Sequence, residues 1–259
     1  MSNYNLLLKN LEKLELNKIR NLLPNYLDEV AKKPPHLIES LLYLTQEEIK
    51  DLNIRASEGI IKAAGFPFRK TIEEFDFEFQ ESINREEIKD LTTLRFLENK
   101  ENILFVGSPG VGKTHLAVGL GIKSSLSRNS VYFISCHKLI MKLNKAHKEN
   151  RLEKQLQHLA GYKLLIIDEI GYLPIDKEGT NLLFQLISRR YMNKSTIVTT
   201  NIHFSKWGEV FNDEMLANAI LDRLIHCSHI ITITGKSYRL KNASIKLLDQ
   251  KNNTKLKTN

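Results

Sequence analysis

Residues 107–114 read Gly-Ser-Pro-Gly-Val-Gly-Lys-Thr, preceded by the apolar run Ile103 to Val106 and followed by a helical pattern opening at Thr114. A complete G-x-x-x-x-G-K-[ST] string constrains this fold more than any other feature, because it works only where a strand delivers it to a helix N-terminus. The residue types follow from the task of holding phosphate. Glycines let backbone N–H groups curl around the oxygens, Lys113 reaches the β and γ oxygens, and the Thr114 hydroxyl ligates Mg²⁺. Gly107, Ser108, Pro109, Gly110, Val111, Gly112, Lys113 and Thr114, with His115 directly behind them, are therefore the candidate nucleotide-binding residues, and a nucleoside triphosphate with Mg²⁺ is the expected ligand.

The rest of that region repeats one rhythm. Apolar strands at Ile103 to Val106, Val131 to Ser135, Leu164 to Asp168, Thr196 to Thr200 and Ile230 to Ile233 alternate with amphipathic helical stretches. This predicts an α/β domain over residues 102–243, with a five-stranded parallel sheet covered by helices on both faces. The third strand ends in Asp168-Glu169. The first acid would hold Mg²⁺, and the second is placed to polarise a water for in-line attack on the γ-phosphate. The fourth strand ends at Asn201, which in a parallel sheet faces the same crevice and could align that water. Charge developing on the γ-phosphate needs a further cation, and Arg223 and Arg239 are the arginines at hand. Spacing alone leaves helix-capping or surface roles for both equally open.

Outside this domain the chain changes character. Residues 1–65 alternate leucines and charges at helical spacing, with Leu7, Leu11 and Leu14 and then Leu37, Leu41 and Leu44 as expected core stripes of a small all-α domain. Residues 66–101 form a linker in which Phe75, Phe77 and Phe79 alternate with acids, a pattern suited to docking on a neighbouring domain. Residues 244–259, rich in Lys and Asn, read as a basic disordered tail. The 259 residues carry 38 Lys and Arg against 30 Asp and Glu, a net +8, so affinity for a polyanion is plausible on charge. Lys138, Lys142, Lys145 and Lys148 recur at helical spacing in a basic stretch reaching Lys154, and are the candidate DNA contacts; a solvated lysine face is the competing reading. Two cysteines, no cationic-apolar leader and no apolar run near ~18 residues lead to the expectation of a cytoplasmic protein with reduced thiols and no membrane span.

Several strings together resemble one family. Gly107 to Ala117, Asp168-Glu-Ile-Gly-Tyr-Leu-Pro174, Asn181 to Ser188, Thr196 to Asn201, Trp207-Gly-Glu-Val-Phe211, Asp222-Arg-Leu-Ile-His226 and Gly235-Lys-Ser-Tyr-Arg239 are similar to the IstB family. These are ATP-binding helper proteins encoded beside the transposase in one class of bacterial insertion sequences, related to the DnaC helicase loaders within the AAA+ ATPases. The resemblance implies ATP and Mg²⁺ as cofactors, with Lys113, Thr114, Asp168 and Glu169 in the roles argued above. It implies Asn201 as the sensor on the fourth core strand, Arg223 as a finger reaching a neighbour's γ-phosphate, and Arg239 as a second sensor within its own subunit. It further implies a homo-oligomeric ring or helix on double-stranded DNA that recruits or stimulates the transposase of the neighbouring gene; a replicative helicase loader is the alternative. One departure stands out: relatives often carry an arginine cluster where this chain has Arg55-Ala-Ser-Glu-Gly-Ile-Ile-Lys62.

Overall fold

The computed structural model describes residues 2–241; the tail expected over 244–259 lies outside the described residues. Contacts divide the chain into two compact units, Met1–Gly59 and Ile60–Asn259. Among the described residues no helix is long and apolar enough to cross a membrane.

The first unit consists of α1 (Asn3–Lys13), α2 (Asn17–Val30) and most of α3 (Leu37–Ala63). Its core is Leu11, Ile19, Leu23 and Leu44. The leucine stripes need correction here: Leu7, Leu14, Leu37 and Leu41 are exposed, and only Leu11 and Leu44 of the six are buried. A unit this small has too little interior to cover every apolar stripe of three helices. Beside that core Glu48 is buried, accepting the Ile19 amide at 2.8 Å and pairing with Arg55 at 3.2 Å.

In the second unit, residues 66–101 pack as part of the domain. After Gly65, Ile72, Phe75 and Ile83 are buried, as are Ile88 and Leu91 of α4 (Arg85–Leu91) and Phe96 and Leu97 of α5 (Arg95–Glu98), all in the core on one side of the sheet. The Asn84 side chain caps α4 by accepting the amides of Glu86 and Glu87. There follow β1 (Asn102–Gly107), α6 (Lys113–Leu126), β2 (Val131–Ser135), α7 (Cys136–Lys148), α8 (Leu152–Gly161), β3 (Leu164–Ile170), α9 (Lys177–Arg190), β4 (Ser195–Thr200), α10 (Trp207–Phe211), α11 (Glu214–Ile225) and β5 (Ser228–Ile233).

The five strands form one parallel sheet in the order β2-β3-β4-β1-β5. Side-chain alternation along each strand divides the interior in two. Leu104, Leu165, Ile167 and Val198 face a core built with α7, α8, α9 and α11, whereas Ile103, Phe105, Ile166, Ile197 and Ile231 face α4, α5 and α6. One buried charge joins strand ends: Arg190 donates to the carbonyls of Leu159, Ala160, Tyr162 and Ser195 and to the Thr196 hydroxyl. Burial lowers its pKa to about 9, and the cluster of oxygen acceptors keeps the guanidinium satisfied.

Candidate nucleotide and catalytic site

Since all strands run the same way, the residues that follow β1, β3 and β4 meet at one edge of the sheet. Gly107 to Gly112 connect β1 to α6, which starts at Lys113. Glycine is required at three points of this connection. Gly110 and Gly112 adopt φ of +83° and +103°, and a Cβ would meet Ser237 Oγ at 2.2 Å in the first case and the Phe75 ring at 2.5 Å in the second. At Gly107 the obstacle is the Ile233 carbonyl, 2.1 Å from where a Cβ would stand. The Lys113 ammonium donates to the carbonyls of Gly107 (2.7 Å) and Ser108 (2.9 Å). Burial lowers its pKa, the Asp168 carboxylate opposes that, and nearby Arg239 lowers it further.

A cleft of about 330 Å³ opens above the loop. Pro109 to His115 line it together with Glu169, Thr199, Asn201, Tyr238 and Arg239. Its other wall comes from residues 66–101, through Phe68, Lys70, Phe75 and Gln80. His115 lines the cleft too, yet its Nε2 lies 2.8 Å from the Thr71 carbonyl and its ring packs edge-on against Phe68 and Phe75. A carbonyl only accepts, so Nε2 carries the proton of a neutral ring.

The two acids sit at a break in the sheet. Ile167 pairs with Val198 and Ile170 with Thr200, leaving Asp168 and Glu169 opposite the single residue Thr199. This β-bulge holds Glu169 at φ +62°, a left-handed conformation costing a non-glycine residue on the order of 1–3 kcal/mol. Asp168 is buried; its Oδ1 accepts from Thr114 Oγ1 at 2.9 Å and from Thr199 Oγ1 at 2.6 Å. Glu169 is exposed to the cleft, while its amide donates to Thr199 Oγ1 at 2.9 Å. Thr199 is thus a site residue that reading by motif passed over. Its signal was a hydroxyl two positions before Asn201, within the polar-ended string Thr196 to Asn201, of which only Asn201 was singled out.

Thr114 and Asp168 converge their oxygens at the loop, a hard-oxygen pair that fits Mg²⁺, which takes one or two protein ligands and completes its shell with water and phosphate.

Arg223 is elsewhere. It lies in the last turn of α11, donates to the Ala219 carbonyl at 2.9 Å and stacks over the Phe184 ring at 4.7 Å. Its carbonyl region is bonded by Asn102, the first residue of β1, whereas the phosphate loop leaves the last. That strand separates the two by roughly 16 Å at 3.3 Å per residue. Arg239, by contrast, is exposed and lines the cleft.

The basic stretch after β2 is two helices, because the chain turns at Asn150 (φ +52°) between α7 and α8, so helical spacing does not run on to Lys154. Lys138, Lys145 and Lys148 are exposed on α7, while Lys142 leans over the Tyr132 ring at 5.0 Å and reaches its hydroxyl at 3.2 Å.

Comparison with known proteins agrees with this architecture. The family model described as IstB-like ATP binding protein matches residues 9–246. A protein of Bacillus thuringiensis subsp. berliner, named for insertion sequence IS232 and ATP binding, is 50% identical over 240 residues, which is 93% of this chain and 96% of that one. The corresponding protein of insertion sequence IS21 from Pseudomonas aeruginosa is 45% identical over 231 residues, 89% of this chain and 87% of its own. Among solved structures, DnaI superposes with a TM-score of 0.54 at 17% identity, covering 68% of this chain and 94% of its own. AMPPCP-bound DnaA from Aquifex aeolicus does so with a TM-score of 0.54 at 20% identity, covering 71% and 56%. These two likenesses are of fold, and the fold is that of the AAA+ P-loop ATPases.

Proposed function

We propose, from the premise that this chain belongs to the IstB-like ATP-binding protein family, that it is an Mg²⁺-dependent ATPase serving an insertion sequence, which assembles on double-stranded DNA and recruits or stimulates the transposase. The observation that carries the ATPase reading is the convergence of Lys113, Thr114, Asp168, Glu169, Asn201 and Arg239 on one loop edge. In this reading Lys113 exchanges its two carbonyl partners for phosphate oxygens. Thr114 and Asp168 would hold Mg²⁺ there, and the cation would supply positive charge to offset that of the phosphates. Glu169 takes the proton of the attacking water, Asn201 orients that water, and Arg239 contacts the γ-phosphate from within the subunit. The distance of Arg223 from its own loop supports its action on a neighbour's nucleotide, which makes assembly part of catalysis.

The test is ATP turnover by the purified chain with and without duplex DNA. Lys113→Ala should abolish ATP binding and assembly. Glu169→Gln should bind ATP and stay assembled, with turnover reduced roughly 10²-fold or more. Wild-type turnover in Glu169→Gln would remove that carboxylate from the mechanism. DNA-stimulated turnover with capture of the cognate transposase supports the helper reading, and capture of a replicative helicase in its place would favour a loader.

A further inference from the structure

We propose that Thr199 is the positioning residue for both acids of the site, holding Asp168 with its hydroxyl proton and Glu169 with its hydroxyl oxygen. The inference rests on the ATPase reading above and concerns how that site is kept in shape.

In an undisturbed strand Asp168 and Glu169 would point to opposite faces of the sheet. The bulge re-aims Glu169 toward the cleft, and in doing so takes its amide out of the ladder with β4. That amide is met by Thr199 Oγ1 at 2.9 Å, in place of a strand carbonyl. The same oxygen sends its one proton to Asp168 Oδ1 at 2.6 Å. Thr199 forms the floor of the cleft with no exposed surface of its own, so both bonds are shielded from bulk water in the folded chain. Its β-branch restricts χ1, which keeps Oγ1 between the two partners. With Oδ1 held by Thr199, the Asp168 carboxylate cannot turn without breaking that bond, and it stays presented to Thr114. One hydroxyl therefore fixes the carboxylate expected to hold the cation and the backbone from which the water-activating carboxylate extends.

Thr199→Val and Thr199→Ser separate this role from simple packing. Valine keeps the shape and loses both hydrogen bonds, whereas serine keeps both bonds and loses a methyl. In the nucleotide-free protein, amide hydrogen exchange across residues 168–171 should quicken by at least about 10-fold in Thr199→Val and stay within about 3-fold of wild type in Thr199→Ser, with the rest of the sheet unchanged. ATP affinity should remain within about 3-fold in both, because the phosphate loop is untouched. Turnover at saturating ATP should fall at least about 10-fold in the valine variant, with the half-activating Mg²⁺ concentration raised, and serine should restore both. Equal losses in valine and serine, or wild-type exchange and turnover in valine, would overturn the proposal. Should valine not fold, Thr199→Ala removes the hydroxyl without adding bulk and takes its place. If the wild-type chain neither binds nor hydrolyses ATP, the ATPase reading falls, while the exchange comparison still decides whether Thr199 holds Glu169.

Discussion

The backbone N–H of Tyr238 donates to the carbonyl of Gly110 at 2.9 Å, so the segment that follows β5 hangs from the middle of the phosphate loop. Ser237 fills the space a Gly110 side chain would need, and Arg239 follows one residue after the contact. Gly110→Ala should therefore act at two places. The methyl both strains a φ of +83° and pushes Ser237 away. We expect ATP affinity at least about 10-fold weaker and, in the same variant, faster proteolysis within residues 234–241, measured by nucleotide titration and limited digestion. Loss of affinity with unchanged digestion would uncouple the loop from the segment.

Arg223→Ala should bind ATP nearly as wild type and hydrolyse it at least about 10²-fold more slowly. Mixed with Lys113→Ala, which keeps its own Arg223 but lacks nucleotide, it should regain part of the activity at hybrid interfaces. The stack on Phe184 gives a control: Phe184→Leu leaves the arginine in place but unbraced, and should have an intermediate effect. No rescue in confirmed mixed assemblies would argue against action between subunits.

A pH effect on stability follows from His115. Burial, the largest influence, lowers its pKa below the ordinary 6.5, while the bond to the Thr71 carbonyl partly opposes this. In the window from that lowered value up to 6.5 the unfolded chain binds more protons than the folded one, so stability rises with pH there and levels off above. His115→Gln should flatten that part of the curve. Thermal melts of both proteins from about pH 5 to about pH 8 measure the difference; parallel curves would mean that His115 titrates alike in both states.

The α7 lysines best suited to phosphate contact are Lys138, Lys145 and Lys148: Lys142 is engaged by Tyr132, whereas Lys145 makes only a long, solvent-exposed pair with Glu149 at 3.9 Å. Replacing those three by Ala should weaken duplex binding evenly across sequences and reduce the log-affinity versus log-salt slope by roughly 0.9 per lost contact. ATP binding should survive. An unchanged slope would locate the DNA surface elsewhere, and not at Arg55, which is occupied by Glu48 and Asp51.

The strands were legible because buried parallel strands are written as apolar runs. Four of them extend beyond those runs, β1 to Asn102 and Gly107, β3 to Ile170, β4 to Ser195 and β5 to Ser228, while β2 coincides with its run. The phosphate loop and the acids were legible as local strings. What escaped reading depends on partners far along the chain. The bulge at Glu169 is held by a hydroxyl from β4, the ring of Phe75 lies against Gly112, and Arg190 finds its acceptors on segments before β3 and at the start of β4. The turn at Asn150 was missed for a different reason: lysines at helical spacing on each side of it mimic one continuous face.

Gly107 lies in register with Ile233 and packs against its carbonyl, so the first strand of the sheet is completed by the last. During translation β1 leaves the ribosome with neither of its neighbours made, and β5 arrives on the order of ten seconds later at ordinary elongation rates. Until then the loop lacks the wall that shapes it, and the edge of β1 is open to unwanted pairing. The loop that leaves β1 therefore reaches its final shape only after β5 has been made and paired, although its own motif is translated well before that strand.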